Sequence, residues 1–161
     1  MVPPRVFATF LRTICNGWVT ARRFQRQAGC ILGCEVGSDS LEHYAICRRF
    51  HGLSGRYFGI HMTPVERCLE DLLGIAPYMA SLPAHLQGQG ARESAVALRA
   101  LAAYALYRVH CGVRHGTIAQ QDVGDAFGEF GREGTRCCPR AASLVCASRS
   151  RAREDDCSHT A

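Results

Sequence analysis

No stretch of this sequence offers roughly eighteen uncharged apolar residues in a row, which excludes a membrane-spanning helix. The opening "MVPPRVFATFLRTICNGW" has two early prolines, Arg12 inside its apolar run and no small-x-small cleavage site, so it does not read as an export signal. Without export, the ten cysteines are not a secreted disulfide scaffold. A reducing, intracellular setting (nucleus or cytoplasm) is expected, where clustered cysteines more often bind metal than one another. No Ser/His/Asp or Cys/His arrangement stands out, which leaves no nucleophilic active site and no small-molecule substrate to expect. Lysine is absent altogether: all 19 basic side chains are arginine. With so many alanines and glycines, that choice reflects coding bias as much as function, and the placement of the arginines says more.

What is present suits one soluble domain. The chain has 161 residues, 47% of them hydrophobic and 20% charged, enough for one real core and too few for two comfortable ones. Residues 1–56 hold eight arginines against the three acids Glu35, Asp39 and Glu42, while residues 57–161 hold eleven of each sign. The whole net charge of +5 therefore surrounds one cysteine-rich segment.

Apolar spacing predicts an all-α fold. "RVFATFLRTIC" and "GWVTARRFQRQ" repeat apolar residues at three and four, divided at Asn16-Gly17. Asp39 with Glu42 three residues later resembles a capping box, which predicts a helix from there to about Phe50. "TPVERCLEDLLG" has Thr63 as cap, Pro64 at the first helical position and Gly74 past the end. "ESAVALRALAAYALYRVHCG" is apolar on nearly every side and so predicts a buried core helix. "IAQQDVGDAFGEF" is amphipathic but weakened by Gly124 and Gly128. The expected organisation is a basic metal-binding segment over 1–62, a helical core over 63–130 completing the same domain, and a disordered tail over 131–161. No internal repeat or strand pair is evident.

The chemistry lies in "GCILGCEVGSDSLEHYAIC", Gly29 to Cys47, where the spacing is Cys-x3-Cys-x8-His-x3-Cys. His43 and Cys47, four apart, share one helix face and can reach one ion. Cys30 and Cys34 flank a turn containing Gly33, which lets two sulfurs converge. Zinc takes four nitrogen or sulfur ligands tetrahedrally, and a closed Cys3His set leaves no position for water, so one structural Zn2+ on Cys30, Cys34, His43 and Cys47 is expected. The plainer reading, small residues packed by chance, does not account for four ligands in order with a helical His-x3-Cys pair.

These residues also carry a family resemblance. "LRTICNGWVTARRFQRQAGCILGCEVGSDSLEHYAIC" resembles the zinc-binding region downstream of the reverse transcriptase domain in LINE-type (non-LTR) retroelement proteins, and "YALYRVHCGVRHG" is similar to the helix that follows in that family. The likeness covers roughly residues 10–60 and, more loosely, 95–116. One more residue separates the first cysteine pair here than in the family's usual Cys-x2-Cys. The resemblance implies that Cys30, Cys34, His43 and Cys47 are zinc ligands and that the parent protein acts on RNA and target DNA. It also shows what is missing. Reverse transcription needs an aromatic-x-Asp-Asp pair on a strand hairpin, and Asp155-Asp156 in "REDDC" has no apolar flanks.

The remaining candidates read blandly. Cys15, Cys68 and Cys111 are core thiols. His51 and His61 are loop histidines. His110 and His115 end the long helix, where a cation suits the dipole. Trp18 and Phe24 are core rather than a base-stacking pair. Cys137, Cys138, Cys146, Cys157 and His159 are too irregularly spaced for a second metal site.

The expectation is a non-catalytic accessory domain. Arg22, Arg23 and Arg26 precede the first ligand and Arg48 and Arg49 follow the last, so a shared metal would gather them within about a helix diameter, on the order of 10 Å. Such a face would contact the phosphates of RNA or DNA rather than read bases. The alternative is a zinc-stabilised protein-interaction module docking on a reverse transcriptase domain or another polymerase, its arginines merely solvated.

Overall fold

The computed structural model describes residues 2–26, 28–60 and 91–136. The expected helix over "TPVERCLEDLLG", Cys68, His61 and the cysteines beyond residue 136 lie outside the described residues. The described chain is all-α, and its one bridge of β type pairs Gly29 with Ser38. No described helix is long and apolar enough to cross a membrane.

Helix α1 spans Pro4–Ile14 with proline at its first turn, where a missing N–H costs nothing. It ends as the Asn16-Gly17 pair suggested: Asn16 takes a left-handed φ of 49°, and Gly17 N–H returns to Arg12 O at 2.6 Å. Val6, Thr9 and Thr13 form its buried face. The expected second helix, "GWVTARRFQRQ", is not formed. Among its described residues the helical piece is a 3-10 turn over Arg22–Phe24, where Thr20 Oγ1 accepts from Arg23 N–H at 3.3 Å and Ala21 N–H is taken by Asp39 Oδ2 rather than by a helix carbonyl.

Two short helices follow, where one was expected. Helix α2 is Leu41–Ile46 and α3 is Arg48–Phe58, with Cys47 ending the first and starting the second in an extended conformation. Gly59, left-handed at φ 66°, closes α3. Helix α4, Ala91–Arg114, is the buried core helix that its sequence predicted: Leu98, Leu101, Leu106 and Val109 are at most 3% exposed. After a turn at Gly116 and a 3-10 turn over Gln120–Asp122, α5 runs Val123–Arg136 and packs back along α4. Residues 131–136, expected in the tail, thus belong to a helix.

The glycines that weaken α5 in isolation are contact points in the fold. A Cβ on Gly128 would run into the Tyr57 ring, one on Gly131 into Phe58, and one on Gly134 into Leu101. Helix propensity is given up for close approach to α3 and α4. Phe127 sits between them, in edge contact with Phe50 and Phe58 at centroid distances of 6.1 and 5.8 Å. At the other end, Trp18 is fully buried against Tyr107 and His110 and donates Nε1–H to Thr13 Oγ1 at 3.0 Å.

Candidate metal centre

The cluster is assembled from a loop and a helix start. Cys30 follows the Gly29–Ser38 bridge, and its N–H donates to Gly37 O at 3.1 Å. Gly33 N–H closes a turn onto Cys30 O at 3.0 Å, with Gly33 left-handed at φ 74°. Gly37 has φ 144°, and the His43 ring lies where its Cβ would be, so only glycine fits there. The helix cap is Ser40, not Asp39: Ser40 Oγ accepts from His43 N–H at 3.1 Å. The expected Asp39–Glu42 capping box is therefore corrected by one residue, and α2 begins at Leu41.

The spacing argument for His43 and Cys47 holds. The ligand atoms of Cys30, Cys34, His43 and Cys47 all lie within 4.8 Å of one another. Cys30 Sγ is 3.9 Å from Cys47 Sγ, and Cys34 Sγ is 3.0 Å from His43 Nε2. Tetrahedral bonds of about 2.3 Å to a central zinc would hold two sulfurs about 3.8 Å apart. The sulfur pair already has that separation, so this donor set fits a metal ion.

The electrostatics agree. The Cys47 thiol is pulled down by the hydrogen bond with Cys30 and, against burial, by the N–H groups of Phe50 and Arg49 at the start of α3. The Cys30 thiol is pushed up by the same bond with Cys47 and by burial, so in the absence of a cation this pair holds on to a proton. Burial raises Cys34 and lowers His43, which keeps the imidazole neutral and able to ligate. A cation entering here displaces protons from the thiols.

Behind the cluster stands a residue that the sequence reading assigned to a helix cap. Asp39 is fully buried, and both carboxylate oxygens are used twice. Oδ1 accepts from Tyr44 Oη at 2.5 Å and faces His110 Nε2 at 3.1 Å. Oδ2 accepts from Ala21 N–H and from Arg114 Nη1, each at 2.8 Å. One side chain thus ties α2, α4 and the Arg22–Phe24 turn to the metal loop. Burial opposes its charge, but the bonds from His110, Tyr44 and Ala21 N–H outweigh that and hold the carboxyl at about 2. Burial likewise opposes protonation of His110, and Asp39 overcomes it, raising the imidazole above its ordinary value. His110 is therefore a buried partner of Asp39, not a surface cation at a helix end, and His115 is the exposed one. A signal was available: His110 and Arg114, four apart on a core helix, imply a buried acid, though not which one.

The other singled-out residues separate. His51 is buried, with Nε2 2.6 Å from Ala45 O. Cys111 is half-buried but Cys15 is exposed, against the core reading. Trp18 is core as expected, whereas Phe24 is 53% exposed. Among the arginines, Arg22 has its backbone in the 3-10 turn and its side chain outside the description. Arg23, Arg26, Arg48 and Arg49 are all exposed. The Arg23 guanidinium leans on Asn16 O at 3.1 Å and Trp18 O at 3.4 Å. Arg48 and Arg49 line an open groove of about 560 Å³ that also borders Cys34, His43 and Cys47 and carries one acid, Glu35. Comparison with family models, with curated proteins and with solved structures finds no match for this chain.

Proposed function

We propose that this chain is a zinc-stabilised, non-catalytic nucleic-acid-binding module, a counterpart of the region downstream of the reverse transcriptase domain that its Cys30–Cys47 segment resembles, working in the nucleus or cytoplasm. The metal is a single structural Zn2+: the four ligands fill its tetrahedron, and a closed set offers no site for a reacting water. The observation that carries the binding role is the state of four arginines. Arg23, Arg26, Arg48 and Arg49, on either side of the ligand set in sequence, are exposed and make no ion pair with any acid among the described residues. A loaded site of three thiolates and one dication carries one net negative charge, too little to neutralise them. Phosphates are the polyanion such a surface suits, and phosphate contact is independent of base sequence.

The test is the fourfold change of Arg23, Arg26, Arg48 and Arg49 to alanine in the zinc-loaded chain. Zinc content stays at one per chain, binding to short RNA or DNA is largely lost, and the salt dependence flattens by about one unit for each phosphate contact removed. Binding that survives the change, or ignores salt, refutes the reading. A second reading, docking on a polymerase domain, is favoured by Phe7, Leu11 and Ile14, which form an apolar row on α1 at 52%, 44% and 41% exposure. Salt-independent association with such a domain, lost on Leu11→Glu, would mark it.

A further inference from the structure

The Arg22–Phe24 turn presents a combination that the fold has no need of. Phe24 is 53% exposed, and Val19, five residues before it, 52%. The ring stands in the run "RRFQR", and the first acid anywhere in the sequence is Glu35. A lone exposed apolar side chain is ordinary on a protein surface. Here the backbone that carries the ring is fixed by hydrogen bonds. Arg23 N–H is capped by Thr20 Oγ1, and Phe24 N–H and Arg26 N–H both return to Ala21 O, at 3.1 and 2.9 Å. Ala21 N–H in turn is anchored on the buried carboxylate of Asp39 at 2.8 Å. Directly after the ring, Gln25 adopts a left-handed φ of 55°, a conformation that costs a non-glycine residue energy and persists only where its surroundings impose it.

We infer that Phe24 is a stacking platform for an unpaired nucleobase, with Arg23 and Arg26 taking the flanking phosphates, so that the preferred partner is single-stranded RNA or DNA. The inference rests on the nucleic-acid reading above and narrows it. Every base offers a π-face, so stacking tolerates any sequence, while a duplex hides those faces and keeps only its phosphates available. A turn fixed before binding loses little freedom when a base arrives, so its affinity is not spent on ordering. Charge complementarity identifies the occupant: an apolar protein partner would meet an exposed ring flanked in sequence by arginines, whereas a polynucleotide supplies both an aromatic face and anions.

The experiment uses the full zinc-loaded chain with labelled oligo-U and oligo-dT single strands and a mixed-sequence duplex of equal length. Phe24→Ala should weaken single-strand binding about tenfold, with the salt slope, duplex affinity and zinc content unchanged. Phe24→Trp should restore binding, and because the sole native tryptophan, Trp18, is buried in the core, the new emission should be quenched by single strands and not by duplex. Equal loss on duplex and single strand, or no loss at all, overturns the platform and leaves the phosphate-binding reading standing. Absence of any nucleic-acid binding by the unaltered chain overturns both.

Discussion

Replacing Asp39 by asparagine keeps the side chain's shape and removes its charge, which makes it the sharpest probe of the buried hub. As a carboxylate it accepts four hydrogen bonds, two on each oxygen. Whichever way an amide is turned, its NH2 faces two groups that were donating. Holding the carboxyl at about 2 instead of 3.8 is itself a stabilisation of roughly 2 kcal/mol. Leaving His110 buried without its anion adds to that, and breaking a buried pair from one side costs about 3–5 kcal/mol in all. Urea denaturation of the zinc-loaded chain should show that loss, with an unchanged slope against denaturant. The pH dependence gives a second signature. His110 has a folded value raised above 6.5, so its contribution is complete below 6.5 and is lost as pH rises through the raised value. Asp39 has a depressed value, so its contribution is present above 3.8 and is lost as pH falls towards 2. Between pH 6 and 9 the stability difference between the unaltered protein and Asp39→Asn should therefore shrink as pH rises. A loss under about 1 kcal/mol, or a difference flat across that window, would refute the account of the hub.

Three further outcomes follow. Metal analysis of the purified chain should find one zinc, and chelation should reduce the helical circular-dichroism signal without abolishing it, since α4 and α5 pack on each other and carry none of the ligands; no zinc and an indifferent spectrum would sink the site. Cys47→Ser should remove most zinc binding while Cys15→Ser, exposed and outside the cluster, leaves it intact, as read by a colorimetric zinc titration. Gly131→Ala should lower the melting temperature although alanine is the better helix former by about 1 kcal/mol, because its Cβ meets the buried Phe58 ring and overpacking costs about 1–3 kcal/mol.

The parts of the fold that were legible in the sequence are those that local chemistry decides. Proline, Asn16-Gly17 and the ligand spacing act over a few residues, and they mark α1, its end and the Cys3His cluster correctly. The apolar character of α4 on nearly every side announces a core helix for the same reason. What local pattern missed was decided at long range. Asp39 looks like a helix cap because caps and buried acceptors use the same carboxylate, and only His110 and Arg114, more than seventy residues on, settle which role it has. The stretch 17–27 has helical periodicity, yet Asp39 takes Ala21 N–H and Thr20 takes Arg23 N–H, so the backbone donors that a helix would need are committed elsewhere. The glycines of α5 read as weakness until the rings they admit are known.

The metal cluster and Asp39 act on the same nineteen-residue segment, Gly29 to Cys47, from opposite sides. A metal held by the four converging side chains would close the loop onto α2 and the start of α3, beside Arg48 and Arg49 at the edge of the groove. Asp39 ties the loop to α4 and, through Ala21 N–H, to the backbone of the turn that carries Phe24. Neither tie duplicates the other. Loss of such a metal would free the thiol side while Asp39 still holds its partners, and loss of the carboxylate would free the turn while the ligands still converge. The two basic elements should therefore answer to different perturbations: chelation should weaken the proposed phosphate binding through Arg48 and Arg49 first, and Asp39→Asn the proposed single-strand preference through Phe24 first. A chain in which both changes removed both properties equally would have one cooperative lock, not two.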